Sequence, residues 1–283
     1  MNYDHAFHAG NHADVLKHVA LLALIQAMSR KPQGFFLLDT HAGSGLYDLS
    51  ADTAQRSGEA AAGISRLRAA HQPPPAAVAE YLVALARHPA GHYPGSPLLA
   101  AQGLRPIDRL LAVERVPKVG RALARALTQT ATALPPRRCQ TRIGDGLAAL
   151  KSDLPPFERR GLILIDPPYE AADEREAIAT AIGEGLKRFA TGVFALWYPI
   201  KQRPVLNRWL NRIAKSTDRP VLLVENSVLP DEPGNRLTGS GLLVINPPWQ
   251  FDSVMKDTLP YLNHNLRLDD QAPWRLDWLN PTS

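Results

Sequence analysis

A short apolar run that ends in an acid and two prolines constrains this chain more than any other feature. Residues 162–165 are leucine and isoleucine only, and Asp166-Pro167-Pro168-Tyr169 follow them directly. Such a run predicts a strand buried inside a parallel sheet. The strand ends there because neither proline can donate to a sheet ladder. Ligands of open α/β sheets lie just outside the carboxyl ends of strands, so we expect chemistry at Asp166 to Tyr169.

These four residues suit one chemical task, which is to hold an exocyclic amine. Asp166 can accept one N–H of the amine, and the Pro167 carbonyl, fixed by the rigid Pro-Pro pair, can accept the other. Tyr169 offers a flat face for stacking a base, worth about 1–3 kcal/mol. The motif is similar to that of methyltransferases that use S-adenosylmethionine and act on adenine N6. The alternative interpretation is a strand that ends in a Pro-Pro turn beside an unrelated acid.

A second apolar run, residues 242–245, has a similar ending, Asn246-Pro247-Pro248-Trp249. Asn-Pro-Pro-aromatic is itself a variant of the motif. Asp166, however, lies mid-chain with room for three more strands after it, whereas Asn246 lies near the end of the strand–helix alternation. We therefore assign the catalytic role to Asp166. Asn246 is interpreted as a strand terminator, with Trp249 in the core.

Strand-like runs alternate with helical patterns, which predicts an α/β fold with a mostly parallel sheet. Seven strands are expected, near residues 35–38, 110–113, 139–143, 162–165, 192–197, 221–225 and 242–246. Helices are expected near residues 11–30, 117–131, 174–189 and 203–215. A parallel crossover needs a dozen or more residues, usually helical, and the last link contains no helical pattern. The seventh strand is therefore predicted to be antiparallel, as in a Rossmann-like methyltransferase sheet.

The region from about residue 48 to residue 92 interrupts this alternation. It is alanine-rich, is broken by prolines at 73–75, and has no strand signal. We interpret it as a small helical insertion within a single methyltransferase domain that spans residues 1–283. Residues 92–97 are predicted to be a loop, because Pro94-Gly95-Ser96-Pro97 has strong turn chemistry.

Composition narrows the class of protein. A chain of 283 residues can bury one large core, or one core and a small insert. No run approaches the roughly 18 apolar residues of a membrane span, and the first residues contain no apolar signal core. A single cysteine, Cys139, excludes an intramolecular disulfide and a cysteine-based zinc site, and we expect a reducing cytoplasm.

The net charge of +5 is compatible with a polyanionic partner. The helical spacing of Arg208, Arg212 and Lys215 places them on one face, which is interpreted either as a solvated surface or as one that tracks phosphates. Adjacent basic pairs occur at Arg137-Arg138, Arg159-Arg160 and Lys187-Arg188.

Acids close the first three predicted strands, as Asp166 closes the fourth. After Asp39, Gly43-Ser44-Gly45 allows backbone N–H groups to approach a ligand closely. The third glycine of the dinucleotide fingerprint is absent, which favours S-adenosylmethionine over a pyrophosphate cofactor and disfavours a dehydrogenase. Glu114 is expected to bind ribose hydroxyls and Asp145 the adenine amine of that cofactor. The alternatives are a surface acid and an ordinary Asp-Gly turn.

Several segments of the chain resemble the RlmJ family, which methylates adenine N6 in 23S ribosomal RNA. The N-terminal block is specific to that family, and the resemblance covers essentially the whole chain. The matching segments are residues 3–18, 38–43, 93–97, 159–169, 195–199 and 245–249. The resemblance implies a class I methyltransferase fold, S-adenosylmethionine as cofactor and 23S rRNA as partner. We expect a monomer.

The same resemblance implies roles for individual residues. It makes Asp166 the catalytic residue and places Tyr3, His5 and Lys17 near the substrate. The implied cofactor site contains His18, His41, Ser96, Glu114, Asp145, Gly146 and Asp166.

A metal site is a weaker interpretation of the N-terminal histidines. His8 and His12 have a spacing that can chelate a metal on a helix. Gly10-Asn11 lies between them, however, and predicts a helix start with Asn11 as N-cap. We expect no metal.

Other functions remain open. A DNA adenine-N6 methyltransferase can use the same motif, but this chain has no obvious second domain for reading duplex sequence. A protein-glutamine methyltransferase favours Asn at the position of Asp166. A non-catalytic RNA-binding module with a vestigial cofactor fold is the alternative from another class.

Overall fold

One mixed sheet carries helices on both of its faces. The computed structural model describes residues 7–51, 58–130, 132–231 and 236–280. The strands are β1 (Phe36–Asp39), β2 (Leu46–Asp48), β3 (His92–Pro94), β4 (Arg109–Glu114), β5 (Cys139–Ile143), β6 (Gly161–Ile165), β7 (Val193–Ile200), β8 (Val221–Ser227), β9 (Gly239–Ile245) and β10 (Trp274–Asn280). The longer helices are α1 (His12–Ser29), α2 (Ala76–Ala86), α3 (Ser96–Gly103), α4 (Pro117–Gln129), α5 (Gly146–Ser152), α6 (Glu174–Arg188), α7 (Arg203–Lys215) and α8 (Phe251–Leu266).

The main sheet has eight strands in the order β10-β8-β9-β7-β6-β1-β4-β5. Strands β5, β4, β1, β6 and β7 are parallel to one another. Strand β9 lies between β7 and β8 and is antiparallel to both, which confirms the predicted reversal. The prediction of seven strands was wrong by one, because β10 adds an antiparallel edge strand beside β8.

Strand β6 shows why the apolar run is continuous. Its side chains alternate between two buried faces. Leu162 and Leu164 pack in the core that α1, α3, α4 and α8 share. Ile163 and Ile165 pack in the core of α5, α6 and α7. A central parallel strand covered by helices on both sides needs apolar residues at every position.

The parallel strands give the sheet two distinct edges. We call the edge where β1, β4, β5, β6 and β7 end the carboxyl edge, and the edge where they begin the amino edge. Strand β9 runs the other way, and its last residue, Ile245, pairs with Phe194 near the beginning of β7. Asp166 therefore lies at the carboxyl edge and Asn246 at the amino edge.

Several predictions near the C-terminus were incomplete. Helix α8 and strand β10 were not expected, because the alternation was taken to end at Asn246. The prediction that Trp249 lies in the core was wrong, since its side chain is 76% exposed. Asn246 does terminate a strand, and its Nδ2 donates to the carbonyls of Ala190 and Gly192. In the described residues no helix has the length and hydropathy of a membrane span.

The region from residue 48 to residue 92 begins and ends at a strand pair that sequence analysis missed. β2 and β3 pair antiparallel, with Asp48 opposite His92, so residues 92–97 are not simply a loop. Strands β2 and β3 were not predicted, because each has only three residues. Between them lie a π-helical turn (Ala61–Ser65) that continues through Arg66–Arg68, and then α2. The division of 48–92 as a subdomain stays a prediction.

The π-helical turn packs tightly against the start of α1. Ile64 N donates to the Gly10 carbonyl over 2.9 Å. A Cβ on Gly63 would overlap that carbonyl oxygen and lie 2.6 Å from the carbonyl carbon of Asn11. Asn11 caps α1, as predicted, by accepting from the backbone of Ala13 and Asp14.

Gly63→Ala should therefore destabilise the protein, because two backbone segments must separate to admit the methyl group. We expect the free energy of unfolding in urea to fall by about 1–3 kcal/mol. Gly183→Ala in α6 is the matched control, since a Cβ there meets nothing within 4 Å. That change should raise the stability by about 0.5–1 kcal/mol through helix propensity alone. Equal effects of the two substitutions would contradict the tight contact.

Candidate active site

The carboxyl edge brings the strand-ending acids into one row. Asp166 follows β6, and the neighbouring strands β1 and β4 end in Asp39 and Glu114. Asp39 is fully buried, and its desolvation raises its pKa to about 6 even though Ser96 donates to it. The negative charge of Asp166 raises it further. The sheet therefore concentrates carboxylates at one place.

Lys17 of α1 is the cation that balances this row. Its Nζ lies 2.5 Å from Asp166 Oδ2 and 2.8 Å from Asp14 Oδ1, and the side chain is only 4% exposed. Burial alone would lower the pKa of Lys17, but Asp14 and Asp166 together hold it well above its usual value. The ammonium therefore stays charged between two carboxylates. It also lies 5.9 Å from the ring centroid of Trp197, within cation–π range.

The conformation of Tyr169 is fixed by contacts with two tryptophans. Its φ of 55° lies in the left-handed region, which a non-glycine residue adopts only when its surroundings require it. Its hydroxyl donates to the Trp197 carbonyl over 2.6 Å. Its ring meets Trp209 edge to face with centroids 6.2 Å apart. Burial holds the pKa of the phenol well above its usual value, so the hydroxyl stays a donor.

The Gly43-Ser44-Gly45 turn and Glu114 lie together. Gly43 and Gly45 have φ values of 64° and 84°, which glycine adopts at little cost. Gly43 N donates to Glu114 Oε2 over 3.0 Å, and Val116 N donates to Oε1 over 2.7 Å. The carboxylate is thus held at the end of β4 in an orientation set by two backbone groups. Acceptors fixed in this way fit the ribose hydroxyls of a nucleoside cofactor.

Asp145 and Gly146 begin α5 beside the end of β1. Asp145 caps the helix by accepting from the backbone of Leu147 and Ala148. A Cβ on Gly146 would overlap the Thr40 carbonyl oxygen, so only glycine fits at this crossing. Desolvation lowers the pKa of His41 to about 4, although the negative charges of Asp166 and Asp145 act to raise it. His41 is therefore neutral at pH 7.

His18 and Ser96 are held by different partners. Ser96 donates to Asp39 Oδ2 over 2.6 Å. His18 Nδ1 lies 2.8 Å from the hydroxyl of Tyr93, which in turn lies 2.8 Å from the hydroxyl of Tyr81. All five side chains are buried. This hydroxyl chain connects α2, between β2 and β3, to the middle of α1.

The structure thus brings most of the predicted site residues to the carboxyl edge. Tyr3 and His5 lie outside the described residues. The assigned roles of the remaining residues stay predictions. No group of three or more potential metal ligands occurs within the ranges that are described. His8 Nδ1 instead contacts Glu59 at 2.9 Å.

Sequence analysis missed two residues of this site. Asp14 shares Lys17 with Asp166, and Gly10 N donates to Asp14 Oδ2 over 3.0 Å. A signal existed, because Asp14 and Lys17 lie three apart and are, histidines aside, the only charged residues of α1. Trp197 was identified only as the end of a predicted strand. Its indole Nε1 is buried and has no hydrogen-bond partner.

Fold and site together define a class of protein. A parallel sheet with one reversed strand between β7 and β8, and with acids at the carboxyl ends of successive strands, is the arrangement of class I methyltransferases. The methyl donor of this class is S-adenosylmethionine. The fixed Glu114 carboxylate, the glycine turn and Asp145 fit such a nucleoside cofactor.

Comparison with known proteins gives the family. A model described as Ribosomal RNA large subunit methyltransferase D, RlmJ, matches residues 32–280. The chain is 39% identical to Ribosomal RNA large subunit methyltransferase J of Haemophilus influenzae and 40% identical to that of Escherichia coli, over 99% of each chain. A crystal structure of Legionella pneumophila protein LPL1258 matches with a TM-score of 0.85 and 32% identity, over 95% of this chain and 98% of that one. The chain therefore belongs to the RlmJ family.

Removing the Lys17 charge should destabilise the protein strongly. Lys17→Met leaves Asp14 and Asp166 facing each other in a buried site, and breaking a buried ion pair costs about 3–5 kcal/mol. The matched control is Lys187→Met, since Lys187 pairs with Glu184 at the same i,i+3 spacing but is 75% exposed. That change should alter the free energy of unfolding little. Similar losses in both variants would contradict the balancing role of Lys17.

The buried Asp39 should make stability depend on pH. Its pKa rises from 3.8 to about 6 on folding, so the folded protein holds the proton more tightly and stability falls as pH rises between these values. The loss amounts to about 3 kcal/mol. His12 and His41, whose pKa values fall to about 4, act in the opposite direction over the same window.

The test is therefore the difference between Asp39→Asn and the wild type in urea unfolding. The variant should gain stability relative to the wild type as pH rises from about 4 to about 6. A difference that stays constant over this range would show that Asp39 has an ordinary pKa.

Proposed function

We propose that this protein transfers a methyl group from S-adenosylmethionine to N6 of a specific adenine in 23S rRNA. Asp166 carries the proposal, because it combines an amine-binding motif with a position at the carboxyl edge, between the cofactor-side acids and Lys17. The family supports methylation of large-subunit ribosomal RNA. The adenine N6 target rests on the motif.

The proposed mechanism begins with an adenine taken out of its stack, which costs a few kcal/mol. The base stacks on Tyr169, whose ring cannot turn away because Trp197 and Trp209 hold it. Asp166 accepts one N6 proton and the Pro167 carbonyl accepts the other. Together they draw the nitrogen toward tetrahedral geometry, which releases its lone pair from the ring.

S-adenosylmethionine supplies an electrophilic methyl group on a sulfonium when it is bound. The N6 lone pair that Asp166 and the Pro167 carbonyl make available would form the new bond to this methyl, and the bond from sulfur would break. Positioning and electrostatics supply most of the rate. Asp166 need not be a strong base, because the alkylated amine loses its proton readily. Lys17 holds the carboxylate in place through its ion pair with Asp166 Oδ2.

The cofactor side would be formed by the acids of the neighbouring strands. Glu114 would bind the ribose hydroxyls and Asp145 the adenine amine, with Gly146 allowing close approach beside Thr40. His18, His41 and Ser96 would complete the site. Tyr3 and His5 would act near the substrate, and the protein would work as a monomer.

Substitution of Asp166 tests the assignment. Asp166→Ala should lower methyl transfer to unmodified 23S rRNA by at least a hundredfold, because no side-chain oxygen remains to accept the N6 proton. Asp166→Asn should lower it less, because its amide oxygen can still accept. The readout is tritium from labelled S-adenosylmethionine, followed by nucleoside analysis for N6-methyladenosine. Calorimetry with the cofactor and a thermal melt should show that the variants are folded and still bind.

The second Pro-Pro motif provides the control. Asn246→Gly keeps a residue that tolerates the φ of 54° at this position but removes both side-chain hydrogen bonds. It should lower stability and leave the rate constant unchanged, because Asn246 lies at the opposite edge. Near-normal transfer by Asp166→Ala would overturn the assignment, and label in duplex DNA instead of RNA would move the substrate to DNA.

A further inference from the structure

The adjacent basic pairs of the sequence converge on the amino edge. Arg137-Arg138 immediately precede β5, Arg159-Arg160 immediately precede β6, and Lys187-Arg188 end the helix before β7. Lys31 lies in the loop before β1, and Arg105 lies in the loop before β4. Each of the five parallel strands thus begins just after a basic side chain.

These strands are neighbours, so the charges form a row. Adjacent strands lie about 4.8 Å apart, and the order β7-β6-β1-β4-β5 places the loops before them along roughly 20 Å of the edge. Strand β9 ends beside β7, which extends the row to Trp249. We call this set of loops the basic edge; its residues are Arg30, Lys31, Arg105, Arg137, Arg138, Phe157, Arg159, Arg160, Lys187, Arg188 and Trp249.

Part of the basic edge is committed to the fold. Arg105 donates to the carbonyls of Ser29, Lys31 and Gln33 at the end of α1 and pairs with Asp108. Arg160 donates to the Met28 carbonyl. These guanidinium groups hold the loop between α1 and β1. The pKa of Arg160 is lowered by desolvation and by the nearby charge of Arg105.

Other cations of the basic edge point to solvent. Arg30, Lys31, Arg137, Arg159 and Arg188 are exposed, and no ion pair joins any of them to a carboxylate of the described residues. Arg159 also has a φ of 52°, a left-handed conformation that is unfavourable for arginine. The fold therefore tolerates local strain and unbalanced positive charge on the same surface.

Exposed aromatic rings accompany these cations. Phe157 is 96% exposed and immediately precedes the Glu158-Arg159-Arg160 segment. Trp249 is 76% exposed, and the guanidinium of Arg30 lies 5.7 Å from its ring centroid. Arg30 is anchored there by its bond to Gln250 Oε1 over 2.8 Å. Cations interleaved with exposed rings are the combination by which proteins bind single-stranded nucleic acid.

We propose that the basic edge binds an unpaired segment of the RNA substrate at a distance from the target adenine. The proposal rests on the proposed function for the identity of that RNA. Phosphates would contact Arg137, Arg159 and Arg188, and a base would stack on the free face of Trp249. Charge complementarity selects RNA, because an apolar protein partner would leave these cations desolvated without carboxylates.

The position of the basic edge also gives it a distinct role. The carboxyl edge holds a row of acids, which repels phosphates except where Lys17 balances them. Affinity for a long RNA must then come from surfaces away from the reacting base. Contact at the opposite edge of the sheet supplies binding energy without placing phosphates against Asp39 or Asp166.

Salt dependence tests the phosphate contacts. Arg137→Gln, Arg159→Gln and Arg188→Gln combined should weaken binding of an unmodified 23S rRNA transcript about tenfold at low salt. The slope of log affinity against log salt should fall by about 2, since each lost phosphate contact on a single strand contributes roughly 0.7. The KM for RNA should rise while kcat at saturating RNA stays within twofold.

A charge-matched control separates the basic edge from the general surface. Arg121→Gln, Arg125→Gln and Lys256→Gln combined remove three exposed cations from α4 and α8, and no ion pair joins them to a described carboxylate. This variant should keep most of the affinity and the slope. Trp249→Ala should weaken binding of unpaired RNA roughly fivefold or more without changing the slope, because stacking is not ionic.

Each outcome decides between the proposals. Equal affinity and slope in the two triple variants would overturn the role of the basic edge, even if methyl transfer is normal. A Trp249→Ala variant that changes the sedimenting mass and not the RNA affinity would overturn it in favour of a protein partner. Wild-type protein that binds RNA with the expected slope but forms no N6-methyladenosine would overturn the proposed function and support the basic edge.

Discussion

Strand direction is the constraint on which the rest of this structure depends. Five neighbouring parallel strands must all end at one edge and begin at the other, so whatever residue type follows the strands accumulates at one place. Acids follow β1, β4 and β6, and cations precede every one of the five strands. Two charged edges of opposite sign result from a pattern that is repeated along the sequence.

The acids of the carboxyl edge require a cation, and Lys17 of α1 supplies it. Desolvation raises the pKa of Asp39, and the nearby charge of Asp166 raises it further. Lys17 reaches this row from α1, and Asp14 one turn earlier fixes its position. A buried pair is weak evidence for stability. Its value here is that the Asp166 carboxylate is held in one place beside a cation.

The direction of the strands also explains which features of the fold and site could be predicted from the sequence. The apolar run before Asp166, the reversal of the last strand and the acids at strand ends could all be predicted, because they depend on local composition and link length. The choice between Asp166 and Asn246 was reached from chain position, and the physical reason is that β6 and β9 run in opposite directions. Strand β10 was missed, because an edge strand of mixed exposure lacks a continuous apolar run.

Contacts between distant segments could not be predicted from the sequence. The Lys17–Asp166 pair joins residues 149 positions apart, and each had a predicted role that did not link it to the other. Trp249 was expected in the core because aromatic residues after an apolar run are commonly buried. Its exposure follows from the loop geometry, in which Asn246 and Gln250 both adopt left-handed conformations with φ values of 54° and 65°. Composition does not predict positive φ values at such residues.

The region between β2 and β3 packs on the helix that carries Lys17, although it separates strands of the main sheet in sequence. Its π-helical turn presses on Gly10 and Asn11 at the start of α1, and Tyr81 and Tyr93 extend a buried hydroxyl chain to His18. Both contacts act on the helix that also carries Lys17. The region between β2 and β3 therefore supports the same helix that places Lys17 against Asp166.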